Sequence, residues 1–130
     1  MKQHTVTVIL PTPKERAFRF LSDVENLPKW ATDFAHELKV VDGKHKVVNG
    51  LGEFFFQIRA DEATGVIDML AGPTEDELGL FPTRVVGLPG DRSAFTFTMF
   101  QAPGMPDELF EAQYRSLLRE LDVLEQQLAA

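Results

Sequence analysis

There is no cysteine in this 130-residue sequence, which removes disulfides, Cys-based zinc sites and any thiol nucleophile. Stability has to come from packing, and a reducing, cytoplasmic location is the expectation. Tryptophan and tyrosine occur once each against 11 phenylalanines, so an aromatic interior would be bulky and poor in polar handles. Basic residues are scarce: 13 Lys and Arg stand against 20 Asp and Glu, a formal charge of −7. That balance repels phosphate backbones and anionic membrane surfaces, and no basic run offsets it, so nucleic acid is not an expected partner. No apolar run approaches the roughly 20 residues that cross a bilayer, and the Thr-interrupted start lacks a signal-peptide core. Membrane insertion is not expected.

What is present suits one globular domain over residues 1–130: 44% apolar and 25% charged residues, with no linker, repeat or low-complexity tract. The β-branched run at 4–10 predicts a first strand. Thr12-Pro13-Lys14-Glu15 is a helix-start signature, with Thr12 as cap and Glu15 closing a capping box over a helix at about 13–21. Pro28 admits a second short helix near 27–34 carrying Trp30 and Phe34. From residue 36 the pattern turns to strands at 37–41, 44–48, 53–60, 66–71, 78–88 and 93–100. They are separated by Asp42-Gly43, Asn49-Gly50, a turn at 61–65, the polar loop 72–77 and Pro89-Gly90-Asp91. Sequential hairpins of this kind imply an antiparallel meander, because parallel pairing needs longer crossovers.

Met105 to Ala130 predicts a long terminal helix with Asp107 and Glu108 in its first turn. Phe110, Tyr114, Leu117, Leu121, Leu124 and Leu128 recur at spacings of four and three and draw one apolar stripe. Glu111, Arg115, Arg119, Asp122 and Glu125 fall on the other side. A coiled-coil seam would have the same spacing but would leave a sheet face unburied, so packing across the sheet is favoured. The expected class is α+β: about seven curved antiparallel strands, two short helices and a long C-terminal helix.

This order resembles the START-like superfamily, also called the helix-grip or Bet v 1-like fold. The likeness is carried by Ile9-Leu10-Pro11-Thr12-Pro13, Phe18-Arg19-Phe20-Leu21-Ser22-Asp23 and Glu25-Asn26-Leu27-Pro28-Lys29-Trp30. Together these look like the opening of bacterial polyketide cyclase/dehydrase-like members, and Gly65-Val66-Ile67-Asp68 and the terminal helix extend the similarity. The resemblance implies a cavity between a concave sheet and the terminal helix. It also implies a small apolar or aromatic ligand, with a cyclase/dehydratase-type enzyme or a chaperone-activator-like interaction module as rivals. No cofactor or metal is expected, and a homodimer is compatible with any of these readings. His4, His36 and His45 lie on different segments without ligand spacing.

The strand phenylalanines Phe54, Phe56, Phe81 and Phe97 are expected to line the cavity, with Phe95 and Phe100 also counted among the interior aromatics. Phe54, Phe56 and Ile58 share one face of their strand, and Phe55, Gln57 and Arg59 the other. Trp30 and Phe34 are placed at the rim, where Trp30 either stacks on a ligand or anchors the core. Tyr114 either aims its hydroxyl into the cavity or meets water at the rim. Asp68 has two readings. If Val66, Asp68 and Leu70 point inward, it is a carboxylate with a raised pKa, suited to acid–base work. If Ile67 and Met69 do, it is solvated, which is the favoured reading. Arg84 either recognises an anionic group, pairs with Asp68 or makes an outward salt bridge, the last being favoured.

Overall fold

The computed structural model describes residues 1–129; Ala130, the last residue of the expected terminal helix, lies outside them. In chain order, β1 (Gln3–Leu10) precedes α1 (Lys14–Ser22), a single 3-10 turn (Val24–Asn26) and α2 (Leu27–Trp30). Then come β2 (Glu37–Val41), β3 (Lys44–Asn49), β4 (Gly52–Asp61), β5 (Val66–Gly72), β6 (Gly79–Leu88), β7 (Arg92–Phe100) and α3 (Asp107–Gln127). The seven strands form one curved antiparallel sheet in the order β1-β7-β6-β5-β4-β3-β2. β2 to β7 are joined by hairpins, so neighbours in sequence are neighbours in the sheet. β1 reaches β7 because the helical segment carries the chain across the concave face.

Alternation decides which side chains meet that face. Val6 and Val8 on β1, Phe56 on β4, Ile67 and Met69 on β5, Thr83 and Val85 on β6, and Phe95, Phe97 and Met99 on β7 all point into the core. Their alternates form the convex face, where Thr5–Thr98 and Thr7–Thr96 hydroxyl pairs sit across β1 and β7. Phe55 and Phe100 belong to this outer set. Phe55 lies beneath the Lys46 ammonium at 4.5 Å, and Phe100 is 44% exposed, so neither is an interior aromatic as expected for Phe100.

The α3 stripe closes the layer from the concave side, with Phe110, Leu117, Leu121, Leu124 and Leu128 all buried. It packs within the chain, against α2 and β1, rather than extending away from the sheet.

Three local expectations shift. α1 begins one residue later than its capping signature: Pro13 takes the cap position, and the Thr12 hydroxyl accepts from Arg16 Nη1 at 3.3 Å instead of from the helix backbone. The β3–β4 turn is Gly50-Leu51 rather than Asn49-Gly50. Asn49 stays in the ladder opposite Gly52, and its side-chain oxygen accepts from Leu51 N at 2.9 Å. α2 stops at Trp30 instead of running to 34, for a reason that belongs to the site. Gly65 is required where it stands: its φ is +78°, and a Cβ there would lie 2.1 Å from the Val85 carbonyl oxygen.

Candidate ligand cavity between the sheet and the terminal helix

The concave sheet and α3 do not meet everywhere. Between them lies an inner chamber of about 60 Å³, lined by Leu27, Trp30, Phe34, Phe56, Met69, Phe81 and Phe97 together with Leu117 and Glu120 of α3. It adjoins an open mouth of about 340 Å³ between the Gly50-Leu51 hairpin turn and the N-terminal half of α3. Phe34, Phe81, Phe97, Leu117 and Glu120 border both spaces and mark their junction. An apolar cavity of about 150 Å³ holds a benzene, so the inner chamber has room for a short group and only the mouth for a ring.

The aromatic walls brace one another. Trp30 meets Phe95 edge-on at 6.2 Å, Phe95 meets Phe97 at 6.2 Å, Phe97 lies 6.1 Å from Phe81, and Phe34 packs on Phe56 at 5.9 Å. Edge and tilted contacts at these separations favour rigid walls. Trp30 is a core anchor, 2% exposed, and it borders the chamber.

One side chain breaks the apolar lining. Glu120 is 5% exposed, yet it carries a carboxylate on the inward side of α3, three residues after Leu117 and four before Leu124. Its Oε2 accepts from the backbone N–H groups of Asp33 at 3.2 Å and Phe34 at 3.0 Å. Those two amides would otherwise extend α2, so the carboxylate explains why the helix ends at Trp30 and Phe34 sits in a loop. Burial pushes the Glu120 carboxyl up to about 7. The two amides and the Arg119 guanidinium pull it down, and the Asp33 charge pushes it further up. No hydrogen bond within the protein reaches Oε1, among the described residues, and no wholly buried side-chain oxygen lacks a partner. Oε1 therefore opens on the cavity.

The mouth is tied to this group. Phe34, whose N–H donates to Glu120, offers its carbonyl to Asn49 Nδ2 at 2.9 Å, and Asn49 holds the hairpin turn through Leu51 N. Leu51 itself is 60% exposed at the lip. On the opposite rim, Asp33 Oδ2 accepts from Ser116 Oγ at 3.0 Å and from Arg119 Nη2 at 3.3 Å. Asp33 is thus paired, and Glu120 is the acid of the cavity with no direct ion-pair partner among the described residues.

The remaining candidates lie elsewhere. Asp68 follows the alternation of β5: Ile67 and Met69 are buried inward, so Asp68 lies on the convex face, opposite Arg59 and Pro82. Arg84 is also convex and exposed. It stands opposite Val66 rather than Asp68, and its Nε donates to the Thr64 carbonyl of the β4–β5 turn at 3.1 Å. Neither borders the cavity. Phe54 packs on the core outside the lining. Tyr114 turns toward β1, where it stacks on His4 at 3.7 Å while both Glu111 oxygens lie 3.0 Å from His4 Nε2. Trp30, Phe34, Phe56, Phe81 and Phe97 are brought together; Asp68, Arg84, Phe54 and Tyr114 are not. Among the described residues no cluster of His, Asp and Glu has the geometry of a metal site, and no helix is long and apolar enough to cross a membrane.

No family model matches the chain, and no curated protein does. Solved structures do. An aromatase/cyclase from a Streptomyces species superposes with a TM-score of 0.72 at 18% identity, over 98% of this chain and 93% of that one. A START superfamily protein from Mycobacterium smegmatis gives 0.68 at 16%, over 97% and 96%. Aha1 from Colwellia psychrerythraea, described as a dimer, gives 0.72 at 13%, over 99% and 97%. Identities this low speak to architecture alone. The chain has a helix-grip fold of the START-like type, shared across nearly its whole length with the START superfamily protein and the aromatase/cyclase.

Proposed function

We propose that the protein binds a small apolar, ring-bearing molecule, with the ring in the mouth and a short group in the inner chamber. The observation that supports this most is the space left between sheet and helix, walled by Phe34, Phe81, Phe97 and Leu117 and open to solvent beside Leu51. Such a wall offers roughly 25 cal/mol per Å² of apolar surface it removes from water, and a single polar group fixes orientation. That group is Glu120, not Asp68 or Arg84. The likeness to START and aromatase/cyclase structures agrees with a ligand-holding role.

The test is a thermal-shift screen over quinones, polyphenols, sterols, fatty acids and aryl amines. A ligand present at a hundred times its Kd adds about 2.7 kcal/mol to the folded state, which is a shift of several degrees. Leu117→Trp, which narrows both spaces, should abolish that shift. Lack of stabilisation by every class, or a shift that survives Leu117→Trp, would sink the reading.

A second reading, catalysis of the cyclase/dehydratase type, is favoured by one observation. A carboxyl titrating at about 7, with one oxygen facing the cavity, suits proton transfer to and from a bound ring. Glu120→Gln should then remove turnover of any identified substrate while leaving its binding measurable; unchanged turnover would dismiss it.

A further inference from the structure

The cavity is unusual in the sign of its charge. Among the described residues that line the chamber or the mouth none is Lys, Arg or His, and the acids are Asp33 and Glu120. Asp33 is answered by Arg119 and Ser116 on the rim. Glu120 has hydrogen bonds from two backbone amides, both on Oε2, and among the described residues no direct ion pair, Arg119 acting on it only through the field of its charge. The sheet side opposite it presents Phe56, Met69, Phe81 and Phe97, with no titratable group. An acceptor oxygen is thus left open in an aromatic surround, and aromatic faces attract cations and offer nothing to anions.

Resting on the binding reading above, we infer that the cavity takes an organic amine, its protonated nitrogen donating to Glu120 Oε1 at the junction of chamber and mouth, and discriminates against carboxylates of the same shape. A bound ammonium would supply both the missing hydrogen bond and a direct opposite charge, the stronger kind of hydrogen bond. A neutral alcohol supplies the first without the second. A carboxylate sets two acceptors and two like charges together in a largely apolar surround, so it enters more readily with a proton. Protonation of Glu120 removes the attraction for the amine. With Asp33 paired to Arg119 and no base facing the cavity, Glu120 is the group that decides this at near-neutral pH.

Three probes with one body separate these cases: naphthylethylamine, naphthylethanol and naphthylacetate, titrated into the full chain by NMR chemical-shift perturbation or calorimetry. At about pH 8 the amine should bind at least about tenfold more tightly than the alcohol, with the carboxylate weakest. Moving to about pH 5.5 should weaken the amine about tenfold, as Glu120 takes a proton, and leave the alcohol within about twofold. Glu120→Gln keeps an oxygen for the two amides and turns an NH₂ toward the cavity; the amine's advantage should vanish and naphthylacetate should gain. The pH series on the unaltered protein stands independently of how well that variant folds. An alcohol that binds as well as the amine, or a carboxylate that binds best, overturns the amine assignment and leaves the binding reading in place. Failure of all three to bind overturns the amine assignment, and the binding reading falls with it only if the thermal-shift screen over every class fails too.

Discussion

Asp68 and Glu120 are a matched pair of acids with opposite fates. Asp68 stands among Val66, Ile67, Met69 and Leu70, so its neighbours in sequence suggest a buried carboxylate, yet it lies on the convex face. Glu120 stands beside Arg119 and Asp122, so its neighbours suggest a solvated helix face, yet it is the buried one. Immediate neighbours mislead because a strand reverses face at every residue and a helix returns to the same face after three or four. The relevant neighbours of Asp68 are its i±2 positions, and those of Glu120 are Leu117 and Leu124.

The contrast between the two faces can be broken or sharpened in order of expected size. Phe95→Ala removes a fully buried ring from beneath Trp30 and Phe97 and should cost about 3–5 kcal/mol in chemical denaturation. A loss under about 1 kcal/mol would mean the cavity walls are not braced as described.

The pH dependence of stability comes next. Glu120 has its folded pKa raised from 4.5 to about 7, so the folded state holds its proton more tightly than the unfolded chain does. Its contribution is fully present below about pH 4.5 and is lost as pH rises through about 7. At 1.36 kcal/mol per unit the loss is on the order of 3 kcal/mol, and Glu120→Gln should remove it. The measurement is the difference between variant and parent in urea melts across that window, which cancels the opposite trend of ordinary carboxylates. A difference that does not grow with pH would place Glu120 in water.

Asn49→Ala should cost about 1 kcal/mol, by cutting the tie from the hairpin turn to the Phe34 carbonyl. It should also raise amide exchange at Leu51 and Phe34 together; exchange confined to the turn would show that lip and cavity are uncoupled. Smallest of all, Asp68→Asn and Arg84→Ala on the convex face should each stay within about 0.5 kcal/mol and leave ligand binding unchanged.

The sheet was legible because its turns carry their own chemistry. Asp42 and Gly43 take the positive φ values of 53° and 77° that a two-residue hairpin needs, and the strand limits fall within a residue or two of the alternating runs. The helix stripe was legible for the same local reason. The inward set Phe56, Phe81 and Phe97 followed from alternation once the terminal helix was laid on that face. Tyr114 did not follow, since the stripe turns along α3 and its upper end meets His4 rather than the cavity. Glu120 was missed although its spacing from Leu117 and Leu124 could have found it. Its surroundings depend on the Asp33 and Phe34 amides, 86 or more residues away, and no local pattern announces them.

The most direct measurement is a carbon-13 NMR titration of the Glu120 side-chain carboxyl in the ligand-free protein. A midpoint near 7, well apart from the other glutamates, is the expected result. A midpoint near the ordinary value of 4.5 would contradict the account, for it would mean that Glu120 is not held in an apolar surround between sheet and helix.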